Sequence, residues 1–119
     1  MTKLENFYSL LQFLNYGKAN AKTADQLASY FEHKSLSDFK RKLRIIAQEA
    51  RLKGHWVIGD ESGYYLALTK EEWHNYRNKR FHAINSELQA LASCDKISIK
   101  DLIKNVYAVS VDDKNYNLF

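Results

Sequence analysis

Apolar side chains recur every three or four residues through most of this 119-residue chain, which is the spacing of one face of a helix. The third apolar segment shows this most clearly, because Phe39, Leu43, Ile46 and Ala50 fall on one narrow stripe of a helical projection. The pattern predicts five helices, over about residues 3–16, 24–33, 37–53, 69–92 and 98–106.

Capping side chains predict where these helices begin, because the chain contains no proline that could mark a helix start. Thr23 with Gln26, and Thr69 with Glu72, have the spacing of capping boxes. Ser37 is the expected cap of the third helix. Each cap would satisfy a backbone amide that has no partner within its own helix.

One segment departs from the helical pattern, residues 54–68, which read GHWVIGDESGYYLAL. Residues 56–58 and 64–66 are good strand formers, and the sequence GDESG between them is typical of a turn. The sequence therefore predicts a β-hairpin immediately after the third helix.

The predicted order of elements is helix, helix, helix, hairpin, long helix and short helix, with only a short turn between the second and third helices. This is the order of a helix-turn-helix followed by a β-wing, so we expect an α+β, mostly α, winged-helix fold. Residues 1–92 would form the winged domain with its post-wing helix. Residues 93–119 would form a C-terminal extension, with a short helix and a strand at 107–111, packed on the domain or on a partner.

Basic residues are concentrated in one part of the chain. The formal net charge is +4, but residues 34–53 alone hold seven basic and two acidic side chains. Apolar residues make up 45% of the chain, which is enough for it to fold. A local basic patch on a folded domain indicates a polyanionic partner.

The face of the third helix opposite its apolar stripe carries the candidate functional residues. Arginine and glutamine side chains, here Arg41, Arg44 and Gln48, can pair with guanine and adenine edges in the major groove. Flanking lysines and a serine near the helix start are placed for phosphates, which supply affinity rather than sequence preference. The predicted site for duplex DNA is therefore Ser37, Lys40, Arg41, Lys42, Arg44 and Gln48.

The same stretch follows a familiar pattern: a capped helix, a basic helix that ends in Ala-x-x-x-Gly, and a hairpin that closes in Gly-Tyr-Tyr-Leu-Ala. The residues that carry it are Thr23, Leu27, Ala28, Phe31, Ala50, Gly54 and Gly63–Ala67. In these residues the chain resembles the winged helix-turn-helix domains of bacterial and phage DNA-binding proteins, over about 23–92. The resemblance implies that the third helix enters the major groove and that the wing touches the adjacent backbone or minor groove.

The hairpin tip departs from the pattern of those domains. Asp60, Glu61 and Ser62 include two acids and no lysine or arginine, and the acids would repel phosphate. We therefore expect the hairpin to brace the third helix more than to grip DNA.

Two groups of apolar residues indicate possible protein interfaces. Ile45 lies on the outward face of the third helix, where it could touch a thymine methyl group or a protein partner. The residues Phe81, Ile84, Leu88 and Leu91 have the 3-4-3 spacing of a coiled-coil seam. This stripe predicts either a homodimer through the post-wing helix or packing on the first helix of the same chain.

No motif indicates catalysis, a cofactor or a metal site. His74 and His82, for example, are separated by about 12 Å along one helix axis, too far to share an ion. The single cysteine, Cys94, excludes an internal disulfide and suits a reducing compartment. The N-terminus does not resemble a signal peptide, and no apolar run is long enough to span a bilayer, so we expect a cytoplasmic location.

The expected function is non-enzymatic DNA binding, in transcription regulation or in the replication or recombination of a phage or other mobile element. The alternative is a winged-helix protein-interaction module, such as a phage inhibitor or an accessory factor of replication or transcription. Ile45 and the acidic hairpin tip favour this alternative.

Overall fold

Two short helices, three longer helices and four short strands make up most of the part of the chain that the structure describes. The computed structural model describes the backbone of residues 2–112 and the side chains of residues 2–108. Its elements in chain order are β1 (Thr2–Lys3), α1 (Phe7–Leu11), α2 (Ala24–Ala28), β2 (Phe31–Glu32), α3 (Leu36–Leu52), β3 (Val57–Asp60), β4 (Gly63–Leu66), α4 (Lys70–Cys94) and α5 (Ile99–Asp112). The fold is α+β and mostly helical, as the sequence predicts.

Contacts divide the chain into two units within α4, between Tyr76 and Arg77. The first unit contains the four strands that the structure describes, α1 to α3 and the start of α4. Trp73 and Tyr76 are the α4 residues that pack against its hydrophobic cluster, and the Trp73 ring stacks parallel to Trp56 with centroids 6.0 Å apart. The second unit contains the rest of α4 and α5. The domain boundary after residue 92 stays a prediction.

The core of the first unit is built around the apolar stripe of α3. Phe39, Leu43, Ile46 and Ala50 are all buried, which confirms the inward face that the sequence predicts. They pack with side chains from α1, α2, β2 and β3, among them Leu10, Leu27, Phe31 and Val57. Burial of each large side chain stabilises the fold by roughly 1.5–3 kcal/mol, so α3 is held firmly in one orientation.

The predicted first helix over 3–16 is wrong at both ends. The Asn6 side chain accepts a hydrogen bond from the Ser9 amide at 3.1 Å and caps α1, which runs only from Phe7 to Leu11. Before it, β1 pairs in parallel with β2. A pairing between segments so far apart in sequence leaves no mark in helical periodicity, and tertiary context decides the result.

The predicted second helix over 24–33 begins correctly but ends too late. Its capping box forms, with Gln26 N to Thr23 Oγ1 at 3.1 Å and Thr23 N to Gln26 Oε1 at 2.8 Å. The helix stops at Ala28, because the chain turns there and Phe31 enters β2. Phe31 is fully buried as predicted for the inner stripe, but from a strand rather than a helix.

Ser35, not Ser37, caps α3. The Ser35 hydroxyl accepts a hydrogen bond from the Asp38 amide at 3.2 Å, and its backbone is extended as a cap requires. Ser37 therefore lies within the first turn of the helix. Both serines precede the same apolar stripe, and the sequence alone did not distinguish which of them leaves the helical conformation.

The predicted C-terminal strand at 107–111 is wrong, because α5 continues through these residues to Asp112. The predicted start is correct, since the Ser98 hydroxyl accepts from the Asp101 amide at 3.1 Å. A helix that has begun extends at little cost, whereas a lone strand would need a pairing partner. The helix is consequently longer than the short one predicted, and the tail 113–119 lies outside the described residues.

The hairpin forms as predicted, with a tip of only two residues, Glu61 and Ser62, because Asp60 pairs with Gly63. On its other side β4 is hydrogen-bonded to the segment between α1 and α2. Tyr64 N donates to Lys22 O at 2.8 Å, and Lys22 N donates to Tyr64 O at 3.0 Å. The strand β4 is thus hydrogen-bonded on both edges, to β3 within the hairpin and to the segment between α1 and α2.

Substitution of Gly63 by alanine should destabilise the protein strongly. Gly63 has a φ of +118°, and an added Cβ would overlap the Lys22 carbonyl group and lie 2.9 Å from the Thr23 amide nitrogen. We expect the free energy of unfolding to fall by about 2–4 kcal/mol, measured by urea denaturation. Gly54→Ala is the control, because its φ is +89° but nothing lies near the added Cβ, and strain alone costs about 1–2 kcal/mol. Equal losses would contradict the close packing of β4 on Lys22.

Candidate nucleic-acid interface

The outward face of α3 presents cationic side chains to solvent. The exposed positions opposite the buried stripe include Ser37, Arg41, Arg44 and Gln48, and exposed Lys42 lies on the flank of the helix. Arg41, Lys42 and Arg44 make no hydrogen bond or ion pair with any other residue that the structure describes. Two cationic groups on the outward face and a third on its flank are therefore available to an anionic partner.

Lys40, the sixth predicted DNA contact, is already engaged. Its Nζ lies 3.3 Å from Asp25 Oδ1, so the side chain joins α3 to α2. Both side chains are substantially exposed, and an ion pair of this kind is worth at most about 1 kcal/mol. A phosphate could replace Asp25 as the partner of Lys40 at small cost, but Lys40 does not share the unpaired state of its neighbours.

Arg51 connects α3 to the hairpin and to α4. Its Nε donates to the Val57 carbonyl oxygen at 2.8 Å, and its guanidinium group lies over the Tyr76 ring, 5.6 Å from the centroid. Its Nη1 also lies 3.5 Å from Gln48 Oε1, a long contact with one of the predicted base-reading residues. Helical spacing places Arg51 only on the flank of α3, and nothing in the sequence shows that it braces three elements.

Tyr64 extends the outward face of α3 onto the hairpin. Its ring is half-buried and packs over Gly59, where an added Cβ would lie 3.0 Å from the ring. Burial raises the pKa of Tyr64, while the positive charges of Arg51 and Arg44 act in the opposite direction. The hydroxyl group therefore stays protonated at neutral pH, close enough to two arginines to feel their charge.

The acids at the hairpin tip have partners within the chain. Asp60 accepts from the Tyr65 hydroxyl at 2.7 Å and from the Ser62 amide at 2.8 Å. Burial and the Asp60 carboxylate raise the pKa of Tyr65. Glu61 forms an ion pair with Lys18 at 2.7 Å, which raises the Lys18 pKa. The tip is consequently less repulsive to phosphate than the sequence DES implies.

A shallow pocket of about 390 Å³ lies at the N-terminal end of α3. Three of its lining side chains are lysines, Lys3, Lys34 and Lys42, and two are acids, Glu32 and Asp38. Lys3 reaches this end only because β1 pairs with β2, so helical periodicity could not have placed it there. The pocket adds cations to the edge of the α3 face, although its acids moderate the local charge.

Apolar side chains also occur on the outward face. Ile45 is 55% exposed and Leu52, two turns later on the same side of the helix, is 76% exposed. The sequence singles out Ile45 but not Leu52. An interface that uses this face would bury both side chains, whether the partner is a base-pair edge or a protein.

The predicted seam on α4 is largely open to solvent, with Phe81, Ile84 and Leu91 exposed and Leu88 half-buried.

Within the described residues, no three His, Cys, Asp or Glu side chains lie together as a metal ion would require. No helix formed by those residues is long and apolar enough to cross a membrane.

Comparison with known proteins finds no matching family model, no matching curated protein and no matching solved structure. The site must therefore be interpreted from its own residues.

Arg51→Ala should destabilise the protein, whereas Arg44→Ala should not. Loss of the Arg51 side chain removes a hydrogen bond to the Val57 carbonyl and the contact with the Tyr76 ring, so we expect a loss of about 1–3 kcal/mol in the free energy of unfolding. Arg44 is exposed on the same helix and should change stability by less than about 0.5 kcal/mol. Urea denaturation of both variants measures the difference, and equal stabilities would show that Arg51 does not brace the fold.

Proposed function

We propose that this protein is a non-enzymatic, winged-helix DNA-binding protein, with α3 as its recognition helix. The observation that carries the proposal is the exposed face on which Arg41 and Arg44 have no hydrogen-bond or ion-pair partner in the described part of the chain. Charges left unpaired on one face of a rigid helix are typical of a surface that binds a polyanion.

The arrangement around α3 supports the winged-helix interpretation. Helices α2 and α3 follow each other closely, and a hairpin comes directly after α3. The strand β4 pairs on one side with β3 and on the other with Lys22, in the segment between the first two helices. A hairpin tied in this way to the helical core would serve as the wing.

The chemistry of the α3 face fits duplex DNA. Arg41, Arg44 and Gln48 would enter the major groove, where their side chains can bond to base edges. Phosphates would be met by the remaining predicted contacts and by cations near the start of α3, namely Ser37, Lys40, Lys42, Lys3 and Lys34. Each neutralised phosphate releases counterions, so binding should weaken steeply with salt.

The hairpin would position α3 rather than supply most of the contacts. Arg51 fixes α3 to the Val57 carbonyl, and the tip acids are satisfied within the chain. Such a protein would act in the cytoplasm, in transcription regulation or in the replication or recombination of a mobile element.

Removal of two cations from α3 should weaken DNA binding. We expect Arg41→Ala with Arg44→Ala to lower the affinity for duplex DNA at least about tenfold, because each base contact contributes roughly 1–3 kcal/mol. Fluorescence anisotropy at low salt measures the affinity. Lys100→Ala with Lys104→Ala on α5 is the control, since it removes the same charge from exposed positions outside α3. The proposal fails if the wild-type protein does not bind duplex DNA, or if both double variants bind equally.

The second candidate function is that of a protein-interaction module that uses the same face. The exposure of Ile45 and Leu52 favours it, because two large apolar side chains in line gain little from contact with phosphates. In that case Arg41 and Arg44, which lie to one side of the apolar pair, would set the orientation of an acidic partner.

Ile45→Asp distinguishes this second candidate from DNA binding. If the face binds a protein, a partner recovered with the wild-type chain after nuclease treatment should be lost with Ile45→Asp, since the new charge would be buried at the interface. The control is Glu49→Asp, which changes an exposed residue of the same helix without adding a charge. Recovery of the partner only in the presence of nucleic acid would exclude this candidate.

A further inference from the structure

The unit beyond Tyr76 does not bury a core of its own. Among its described side chains only Ala92 is fully buried. On α4, Phe81 is 64% exposed, Ile84 50% and Leu91 59%, and on α5 Ile103 and Tyr107 are also exposed. Exposed apolar side chains in such a series mark a surface that is covered by a partner.

The turn between α4 and α5 is nevertheless well defined. Lys96 adopts a left-handed backbone with φ of 57°, its amide donates to Ser93 O at 3.1 Å, and the Ile97 amide donates to Ala92 O at 3.0 Å. This is the hydrogen-bond pattern that closes a helix C-terminus. The two helices make no extended contact with each other within the described residues. Helices gain most of their stability from packing, and α4 and α5 do not pack extensively on each other. Their exposed apolar side chains can therefore pack on another surface.

We propose that residues 77–95 of two copies of this chain pair as antiparallel helices and form a homodimer. The pairing surface is the dimer stripe, which consists of Phe81, Ile84, Leu88 and Leu91. In a two-fold symmetric pair the same surface of each copy forms the interface, so each dimer stripe is covered by the other.

Charge complementarity at the two ends of the stripe favours a second copy and sets its direction. Continued at 3-4-3 spacing, the stripe reaches Arg77 at one end and Asp95 at the other. In an antiparallel pair that sets Phe81 opposite Leu91 and Ile84 opposite Leu88, Arg77 of each copy meets Asp95 of the other. A parallel pair would instead bring like charges together. Among the described residues, Arg77 forms hydrogen bonds only with the neighbouring Asn78 side chain, at 3.2 and 3.3 Å.

The area of the dimer stripe is at the lower end for a specific pair. Its three exposed side chains, Phe81, Ile84 and Leu91, would each remove roughly 100 Å² from water, or about 600 Å² of apolar surface for two copies. Because apolar atoms supply just over half of a typical interface, the whole contact would bury about 1,000 Å². We therefore expect a dimer that forms at micromolar concentrations and dissociates on dilution.

The mass of the 119-residue chain in solution tests the proposal without DNA, so its outcome is independent of the proposed DNA binding. We expect light scattering after gel filtration to give the mass of two chains for the wild type and of one chain for Ile84→Asp with Leu88→Asp. The matched control is Ser86→Asp with Ala90→Asp, which adds the same charge to the opposite face of α4 and should remain dimeric. A wild-type monomer at 100 μM, or a dimer that survives the stripe variant, would overturn the proposal; the wild-type result does not depend on the folding of any variant.

The antiparallel direction of the pair can be tested by substitution of the charged residues at the ends of the stripe and by a spin label on the single cysteine. Arg77→Asp should weaken the dimer at least threefold, and the added change Asp95→Arg should restore it. A nitroxide on Cys94 should give one intermolecular distance of about 25–30 Å in an antiparallel pair, because the two labels lie about eight residues on either side of the centre. A distance below about 15 Å would indicate a parallel pair and would overturn the proposed arrangement.

Discussion

The burial of one face of α3 is the constraint on which the rest of this structure depends. Phe39, Leu43, Ile46 and Ala50 are enclosed by side chains from both shorter helices and from the strands, so the helix cannot rotate about its axis without exposing them. The orientation of α3 about its axis determines which of its residues face outward. The hydrogen bond from Arg51 to Val57 holds the C-terminal half of α3 against the hairpin. A surface that is to recognise an ordered partner needs this rigidity, because misplacement of about an ångström breaks hydrogen bonds.

Features that depend on neighbours in sequence could be predicted, and features that depend on distant pairing could not. The α3 stripe, the hairpin and the caps at Thr23 and Ser98 all have local signals. The pairing of β1 with β2 has none, so α1 and α2 were expected to be longer than they are. At the candidate site the outward residues followed from helical spacing. The engagement of Lys40 with Asp25 did not, because it depends on how two helices meet.

The two units that meet within α4 differ in how much apolar surface each of them buries. The first unit buries a core that includes Phe31, Leu43 and Val57, and its helices are held by one another. The second unit has good helix signals and a defined turn at Lys96, but its apolar side chains are largely exposed. The same chain thus contains a unit with its own buried core and a unit whose stability, in the proposed dimer, would depend on concentration, since association is governed by mass action.

The exposed pair between Lys18 and Glu61 limits what the hairpin tip can add to the binding of a polyanion. If Lys18 turned toward a phosphate, it would exchange one anionic partner for another, and the number of cation–anion contacts would stay the same. The phosphate would still release a condensed counterion, but Glu61 would lose Lys18 and attract a cation from solution, so the two changes would largely cancel. The dependence of affinity on ionic strength would therefore reflect the cations of α3 and its N-terminal edge, and the hairpin tip would contribute little to it.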